Sequence, residues 1–408
     1  MQAYLDARRH KRNRRYQLDF EANLERNLDS LCQELYSRNY RPLPSECFII
    51  TDPKKREVFA AAFRDRIVHH LYYNYVHKMF ERTFIHDSYS CIKGRGTHYG
   101  INRMEGHIRK ESQNYSLPCY VLKMDIRGYF MHINRSKLLE ICLRTIDRMS
   151  NHRTGKYRSE RWMELVDMDF VKYLTQEIVT LDCTLNCHIK GSPADWNGLD
   201  NGKSLFTAAP GCGLPIGNLT SQLFSNIYLN ELDQFMKREL HCRHYGRYVD
   251  DFYVVSADRS FLHSLISKVR TFLSDVLGLE LHKGKLRIDN VRYGVEFLGA
   301  FVKPWHRLLS SITLRRMIVK IERLSVMVGK TEFRREFGAG IRSSLNSFCG
   351  VMGHYKSFHI RKRIWNSRAC SVFTLYGQFD SQYMRFISIF AVYSRIKFSA
   401  SVSRTNIA

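Results

Sequence analysis

The stretch Arg247–Val255, which reads RYVDDFYVV, sets two adjacent carboxylates between two runs of aromatic and β-branched residues. Val, Tyr and Phe favour pleated, half-buried strands, whereas Asp favours turns and is costly to bury without a counter-charge. The pattern therefore predicts a β-hairpin with Asp250 and Asp251 at its tip. Because two carboxylates held close together repel each other at low effective dielectric, a divalent cation is the compensation that the pair favours.

A third carboxylate, Asp125, ends the apolar run that begins at Val121. The residues that follow, Ile126–Gly128, predict a strand that leaves its sheet at this point. A strand-end Asp beside a hairpin Asp pair can hold two Mg²⁺ ions, hard cations that prefer carboxylate oxygens. A bare Asp pair is more often a solvated turn, but the apolar flanks and this third Asp favour a metal site.

These segments resemble the palm of reverse transcriptases. Asp125 matches the first catalytic Asp of that family, and Tyr248–Asp251 matches its Tyr-x-Asp-Asp box. The resemblance implies that Asp125, Asp250 and Asp251 are catalytic and bind two Mg²⁺ ions, with the carbonyl of Ile126 as a further ligand. It also implies deoxynucleoside triphosphates, template RNA and an RNA/DNA duplex as substrates and partners.

Composition bounds the class of protein. The chain has 408 residues, of which 44% are hydrophobic, and a formal net charge of +25 at pH 7. This length suggests two or three lobes, and the charge indicates a polyanionic partner, because binding to phosphates releases condensed counterions. The sequence has no apolar run long enough for a membrane span and no apolar region typical of a signal peptide near Met1. We therefore expect a cytoplasmic protein that does not contact membranes.

The eleven cysteines are scattered and odd in number, which favours reduced, mostly buried thiols over disulfides. The segments Cys183–His188 and His241–His244 lack the paired short spacings of a zinc site. We expect no zinc at either segment.

Residues 1–45 are predicted to form a basic and helical N-terminal extension. The run Ala7–Arg15 is either a solvated tail or a contact with the RNA backbone, and the overall charge favours the contact. After it, apolar residues recur at three- and four-residue spacing and predict a packing stripe on one helix. The stripe consists of Phe20, Leu24, Leu28, Leu31, Leu35 and Tyr36.

Residues 46–117 are expected to form the fingers. Phe48–Ile50 and Val58–Ala60 flank a charged turn, which predicts a hairpin that can place cations on a triphosphate. Arg56 precedes Arg64–His69 by eight residues, a spacing that resembles the fingers of group II intron-like reverse transcriptases. The resemblance implies that the phosphates of the incoming nucleotide are bound by Arg56 with Lys54 or Lys55.

A second fingers motif is suggested by Ser88–His98. Its glycines permit a close approach of the backbone to a ligand. The resemblance implies that Lys93 and Arg95 contact template phosphates.

Residues 118–305 are expected to form the palm, with a helical insertion at 141–205. Phe130 lies five residues after Asp125 and matches the family's steric gate, an aromatic ring that leaves no room for a 2′-hydroxyl. Gly211–Gln222 is a glycine-rich turn that opens an apolar helix, a place where a templating base and nucleotide can be held. Ile216, Gly217 and Gln222 are accordingly assigned to the nucleotide.

The glycine-rich turn departs from the usual family pattern, which begins Gln-Gly and closes Ser-Pro. Here the corresponding pairs are Ile216-Gly217 and Ser221-Gln222. This departure, and Lys203–Phe206 before it, resemble the reverse transcriptases of diversity-generating retroelements, a similarity that covers Arg12 to about Trp365. It implies copying of a template-repeat RNA into cDNA with frequent errors opposite adenines, a small helical accessory protein and an element RNA.

The remaining motifs lie beyond the hairpin. Leu279–Lys285 resembles the motif whose lysine protonates departing pyrophosphate; Lys285 is chosen, and Lys283 stays an alternative. Residues 306–408 are expected to form a thumb and C-terminal tail, with a basic amphipathic helix from Leu314 onward. Residues 294–300 resemble the primer grip, which implies template or primer contacts for Gly294, Phe297, Leu298 and Gly299.

The predicted fold class is α+β: a right-hand polymerase with fingers, a palm of antiparallel sheet plus helices, and a helical thumb. Three other functions remain open. A defence-associated bacterial reverse transcriptase acting on a non-coding RNA would differ in genomic context. An intron-encoded maturase would normally extend beyond the thumb. A non-catalytic RNA-binding protein would leave the three aligned aspartates unexplained.

Overall fold

A computed structural model of the chain describes residues 1–9, 14–52, 54–154, 160–330 and 337–388. The chain divides into two compact units: the first contains Met1–Glu111 and Tyr120–Ile288, and the second contains Ser112–Cys119 and the chain from Asp289 onward. The tail 389–408 and residues 10–13 of the N-terminal basic run were included in the predictions, but they lie outside the described residues. The predicted boundaries of fingers, palm and thumb stay predictions; residues 289–305, assigned to the palm, group with the second unit.

The elements of the first unit alternate between helices and short strands. Its helices are α1 (Gln2–Arg8), α2 (Arg15–Glu21), α3 (Leu24–Tyr36), α4 (Phe63–Glu81), α5 (Thr97–Glu111), α6 (Tyr129–His132), α7 (Arg135–Ser150), α8 (Trp162–Leu165), α9 (Met168–Thr180), α10 (Leu219–Gln234) and α11 (Arg259–Leu277). Its strands are β1 (Ser45–Ile50), β2 (Arg56–Ala60), β3 (Tyr120–Asp125), β4 (Arg153–Thr154), β5 (Glu160–Arg161), β6 (Cys187–Ile189), β7 (His244–Tyr248), β8 (Asp251–Ser256) and β9 (Arg287–Asn290), the last of which runs past the unit boundary.

The second unit contains two small sheets and helices. Its strands are β10 (Val295–Phe297), β11 (Ala300–Lys303), β12 (His306–Leu309), β13 (Gly377–Phe379) and β14 (Phe386–Ser388). Its helices are α12 (Ser311–Lys330), α13 (Phe337–Gly353) and α14 (Phe358–Trp365). On α12 the cations Arg315, Arg316 and Lys320 are exposed and Ile321 is buried, so the basic amphipathic helix is confirmed.

The central sheet has the strand order β7-β8-β3-β9. β8 pairs antiparallel with β7 on one side and with β3 on the other. Because successive strand residues point to opposite faces, the burial of all four residues from Phe252 to Val255 means that both faces of β8 are covered. This explains why Phe252–Val255 has no charged residue. The predicted hairpin is confirmed with Asp250 in its turn, whereas Asp251, also predicted at the tip, is the first residue of β8.

A second sheet, ordered β2-β1-β6, carries the predicted charged hairpin. β1 and β2 pair antiparallel, with Ile50 opposite Arg56, and the connecting turn is described except for Pro53. β6 joins β1 in parallel, with Cys187 opposite Ser45. The mixture of antiparallel sheets and helices confirms the α+β class.

Two predictions about helices need correction. The N-terminal stripe is divided between α2 and α3, because the chain turns at Ala22-Asn23, and Tyr36 is 88% exposed rather than packed. The α-helices of the insertion end at Thr180, and the short strands β4 and β5 lie between α7 and α8; residues 181–205 contain β6 and short 3₁₀ turns instead. Within the described ranges, no helix has an apolar stretch that could cross a bilayer.

A fully buried ion pair joins α10 to the central hairpin. Arg247 on β7 and Asp233 on α10 are both 0% exposed, and the guanidinium binds both carboxylate oxygens, from Nε at 2.8 Å and from Nη2 at 2.6 Å. Tyr245 donates a further hydrogen bond to Asp233. Removing one member of a buried pair leaves an uncompensated charge, which costs more than the pair itself contributes.

We therefore expect Asp233→Leu to lower the free energy of unfolding by about 3–5 kcal/mol. The matched control is Glu231→Gln on the same helix, which breaks the more exposed Arg144–Glu231 pair and should cost less than about 1 kcal/mol. Urea unfolding of both variants gives the comparison. Equally small losses would mean that neutral hydrogen-bond partners are sufficient for Arg247.

Candidate active site

The three predicted carboxylates meet at one end of the central sheet. Asp125 is the last residue of β3 and lies directly opposite Asp251, the first residue of β8. The N–H of Ile126 donates to the carbonyl of Asp250 at 3.2 Å, so the turn residue is tied to the same strand end. Strand pairing thus fixes the backbone of all three aspartates together.

Lys285 lies at the same place. Its Nζ donates to Oδ2 of Asp125 at 2.7 Å, and the side chain is about half exposed. The backbone of the Lys285 segment is held there as well, because the N–H of His282 donates to the carbonyl of Asp125 at 2.8 Å. The predicted lysine is therefore in contact with the first aspartate, whereas its alternative, Lys283, is exposed in the same 3₁₀ turn.

The turn between β7 and β8 holds a β-branched residue in an unfavourable conformation. Val249 has φ of 56°, in the left-handed region that such residues rarely adopt. Arg247 Nη1 donates to the Val249 carbonyl at 3.0 Å, and the Val249 N–H donates to Ser90 Oγ at 3.2 Å. These two bonds hold a turn that Val would not adopt alone, and they place Asp250 next to Asp251.

Burial and mutual repulsion shape the electrostatics of the site. Desolvation, followed by the charge of Asp125, raises the pKa of Asp250 to about 6. Desolvation and the charges of Asp125 and Asp250 raise the pKa of Asp251 to about 7. In both cases the Lys285 ammonium acts in the opposite direction, and so does Arg56 at Asp250 or Lys123 at Asp251. These cations do not offset burial and repulsion at Asp250 and Asp251.

The donor chemistry of this site fits a hard divalent cation. Carboxylate oxygens are the ligands that Mg²⁺ prefers, and a cation would offset the desolvation and the repulsion that raise the two pKa values. Across the described parts of the chain, no group of three or more His, Cys, Asp or Glu side chains has the mutual spacing of a formed metal site. The aspartate backbones are in register, and side-chain rotation would be needed to gather their oxygens around an ion.

Phe130 and Ile216 are brought together with the β1–β2 hairpin. Both are half-buried against an apolar cluster that contains Phe59 of β2, Met131 and Leu205. The N–H of Phe59 donates to the carbonyl of Ile216 at 2.9 Å, and the N–H of Leu214 donates to that of Phe130 at 2.8 Å. The glycine-rich turn is therefore bonded to the hairpin on one side and to the Phe130 segment on the other.

Gly217 explains why this turn needs glycine. Its φ is 128°, and a Cβ placed there would lie 2.9 Å from both the carbonyl oxygen of Phe59 and Cγ1 of Val58. The turn thus approaches β2 more closely than any other residue would permit.

The other predicted nucleotide and template residues lie mostly at the surface. Lys54, Arg56, Lys93 and Gln222 are exposed, and Lys55 donates from Nζ to the carbonyl of Asn197 at 2.5 Å. Arg95 is half-buried, and its Nη1 donates to the carbonyls of Ile85 and Ser88 at 3.1 and 2.9 Å. The contacts of Arg95 in this structure are thus with its own loop.

The predicted primer-grip residues form a tight hairpin in the second unit. Leu298 and Gly299 connect β10 to β11, with φ of 49° and 80°. A Cβ on Gly294 would collide with the ring of Phe301, so this position also requires glycine.

Sequence reasoning missed Asp233 and Ser90, which help to hold the turn that carries Asp250. Arg247 was part of the quoted hairpin, but nothing nearby in sequence identifies Asp233 as its partner. The available signal was weak: Asp233 follows Leu232 in a helix that is otherwise largely buried, and a charge in such a position is usually paired. Ser90, which accepts from Val249 and donates to Asn226 Oδ1 at 3.3 Å, gave no such signal.

Comparison with known proteins gives one family match. The profile of the family described as reverse transcriptase (RNA-dependent DNA polymerase) matches residues 52–302, a range that contains every site residue discussed above. Protein YkfC of Escherichia coli (strain K12) is 25% identical over 323 residues, which cover 71% of this chain and 73% of that protein.

Solved structures with some similarity include two yeast telomerases. Apo telomerase from Candida tropicalis, truncated from the C-terminal domain, has a TM-score of 0.48 and 11% identity, covering 65% of this chain and 55% of that one. Telomerase from Candida albicans in complex with the TWJ fragment of telomeric RNA has a TM-score of 0.44 and 12% identity, covering 82% and 57%. The chain spans little more than half the length of these telomerases.

The close approach at Gly217 yields a test. Gly217→Ala adds a Cβ against β2 at a strained φ, and we expect it to lower the free energy of unfolding by about 2 kcal/mol or more. Gly211→Ala is the control, because Gly211 also has a positive φ, 71°, but nothing lies within 4 Å of its Cβ position. A cost at Gly217 no greater than that at Gly211, measured by urea unfolding, would contradict the close packing of turn and hairpin.

Proposed function

The chain belongs to the reverse transcriptase family of RNA-dependent DNA polymerases, and from this premise we propose that it extends a DNA primer on an RNA template at the three aspartates. The observation that carries the proposal is the register that places Asp125 opposite Asp251, with Asp250 in the adjoining turn. This puts three carboxylates from two neighbouring strands at one sheet end, which is the donor set for nucleotidyl transfer. A passive RNA-binding protein gains nothing from burying them.

Asp125, Asp250 and Asp251 would hold two Mg²⁺ ions, with the carbonyl of Ile126 as a further ligand. When bound, the ions would lower the pKa of the primer 3′-hydroxyl and stabilise charge on the departing pyrophosphate. Lys285 is kept beside the site by its ion pair with Asp125. We assign it the donation of a proton to pyrophosphate.

The incoming nucleotide would be held by residues from three segments. Arg56, with Lys54 or Lys55, would bind the triphosphate, because guanidinium and ammonium groups match phosphate oxygens. The ring of Phe130 would lie under the sugar and exclude a 2′-hydroxyl. The third segment, with Ile216, Gly217 and Gln222, would also contact the incoming nucleotide.

Contacts with the nucleic acid are assigned to two further groups. Lys93 and Arg95 would contact template phosphates, although Arg95 must then keep or exchange its bonds to its own loop. The β10–β11 hairpin, with Gly294, Phe297, Leu298 and Gly299, would contact the primer. The net charge of +25 supports a phosphate-rich partner for the chain as a whole.

The finer function that we propose is mutagenic copying of a template-repeat RNA in a diversity-generating retroelement. Its support is the replacement of the usual Gln-Gly and Ser-Pro pairs by Ile216-Gly217 and Ser221-Gln222. A small helical accessory protein and an element RNA would be the partners of this activity. Action on a non-coding RNA in defence is the competing role of the same catalytic machinery.

Joint substitution Asp250→Asn and Asp251→Asn should abolish Mg²⁺-dependent DNA synthesis while RNA binding is retained. Both changes remove anions that would hold the ions, and losing negative charge does not weaken phosphate binding. Primer extension, RNA affinity and the melting temperature with and without Mg²⁺ give the readout; Mg²⁺ should stabilise the wild type more than the double variant. Appreciable DNA synthesis by the folded double variant would contradict the catalytic assignment of Asp250 and Asp251.

Fidelity separates the two finer roles. A Gln at position 216 can hydrogen-bond to the incoming nucleotide, whereas Ile offers shape but no donor or acceptor. One such bond contributes about 1 kcal/mol, so Ile216→Gln should lower misincorporation several-fold, most visibly opposite template adenines, and retain polymerase activity. The measurement is sequencing of cDNA made by both proteins on one template at matched extension.

The wild type itself is the control for that experiment. Greater error at template adenines than at other bases is what the retroelement role requires. Equal accuracy at all four template bases would contradict it and favour the defence role.

A further inference from the structure

Glu57 is a buried carboxylate that accepts hydrogen bonds from residues 196–205, which lie in the part of the insertion that contains no α-helix. It lies on β2 and is 1% exposed. Trp196 Nε1 and Ser204 Oγ each donate to Oε2 at 2.7 Å, and the N–H of Leu205 donates to Oε1 at 2.7 Å. Burying a carboxylate is costly unless hydrogen bonds satisfy it, and here an indole, a hydroxyl and a backbone amide do so.

The same part of the insertion reaches the hairpin at further points. Lys55 Nζ donates to the carbonyl of Asn197, and β6 extends the sheet by pairing in parallel with β1. The N–H of Lys190 donates to the carbonyl of Cys47 at 2.8 Å, and the rings of Phe59 and Phe206 are 5.5 Å apart. Residues 187–206 thus hold both strands of the hairpin, and we call them the brace.

Strand geometry links the brace to the predicted phosphate ligand. Successive residues of a strand point to opposite faces, so Glu57 is buried while its neighbour Arg56 is exposed. Fixing the Glu57 carboxylate therefore fixes the backbone that carries Arg56. The glycine-rich turn holds the next residues of β2 and the following Ala61, through Ile216 and through Asn218 Oδ1, which accepts from the Ala61 N–H at 3.2 Å.

We propose that Glu57 is a positioning residue that, through the brace, keeps Arg56 ready for the triphosphate of the incoming nucleotide. This inference rests on the proposed function. A hairpin without the brace would have to become ordered when the nucleotide binds, and the cost of that ordering weakens binding. Loss of the brace should therefore weaken nucleotide binding and leave the chemical step largely unchanged, because the aspartates are held by a different sheet.

Glu57→Gln is the direct test because it nearly preserves volume. A Gln side chain has one acceptor oxygen and one NH₂ group, so at least one of the three donors loses its acceptor. We expect the KM for deoxynucleotides to rise about tenfold, with kcat changed less than about twofold and the affinity for the template–primer duplex unchanged. Amide hydrogen exchange should become faster at residues 46–60 and stay unchanged in β3 and β8.

A pair of serines provides a matched control. Ser192 and Ser204 each cap a short 3₁₀ turn of the insertion by accepting from the backbone N–H two residues later. Only Ser204 also donates to Glu57. Ser204→Ala should therefore raise the KM for deoxynucleotides in the same direction as Glu57→Gln, and Ser192→Ala should leave it at the wild-type value.

A binding measurement can test the role of Glu57 separately from the proposed catalytic function. A primer without its 3′-hydroxyl cannot be extended, so the Kd of a deoxynucleotide on that complex measures positioning without chemistry. An unchanged Kd in a folded Glu57→Gln variant would overturn the inference, even if the double Asp variant is inactive. An equal effect of Ser192→Ala would also overturn it, because any disturbance of the insertion would then suffice.

Discussion

Repulsion among three carboxylates is the constraint on which the centre of the first unit depends. The β3–β8 ladder brings Asp125 opposite Asp251, and the turn adds Asp250 beside them. Burial and the repulsion within the group both favour protonation, as the raised pKa values of Asp250 and Asp251 indicate. The strand register, fixed by buried residues on both faces of β8, is what keeps the charges together.

Two other buried charges act on the backbone next to functional residues. Arg247 lies three residues before Asp250 and bonds to the Val249 carbonyl, while its charge is balanced by Asp233. Glu57 lies next to Arg56 and is satisfied by neutral donors. In both cases a buried charged side chain holds the backbone of the exposed residues beside it. Moving that backbone would separate the buried charge from its hydrogen-bond partners, which is costly.

Local sequence patterns predicted the elements that depend on local chemistry. The apolar runs around Asp250 and Asp251, the charged turn before Arg56 and the glycine-rich turn before α10 each contain their own strand or turn signal. Contacts between distant residues gave no such signal: Asp233 with Arg247, and Glu57 with Trp196 and Ser204. The prediction of one continuous N-terminal helix was wrong for a related reason. The apolar spacing continues from α2 into α3, and both helices pack against the same core, so the spacing alone does not reveal that the helix ends between them.

The surroundings of Ile216 determine what a substitution there can change. Its carbonyl accepts from Phe59 of β2, against which Gly217 is also packed, and the N–H of Leu214 donates to the carbonyl of Phe130, so two different segments hold the backbone of the turn. The side chain is only half-buried against the cluster around Phe59 and Met131. A longer polar side chain at this position can therefore extend outward while the turn keeps its place, and its effect on nucleotide selection would come from its hydrogen-bonding groups rather than from movement of the hairpin.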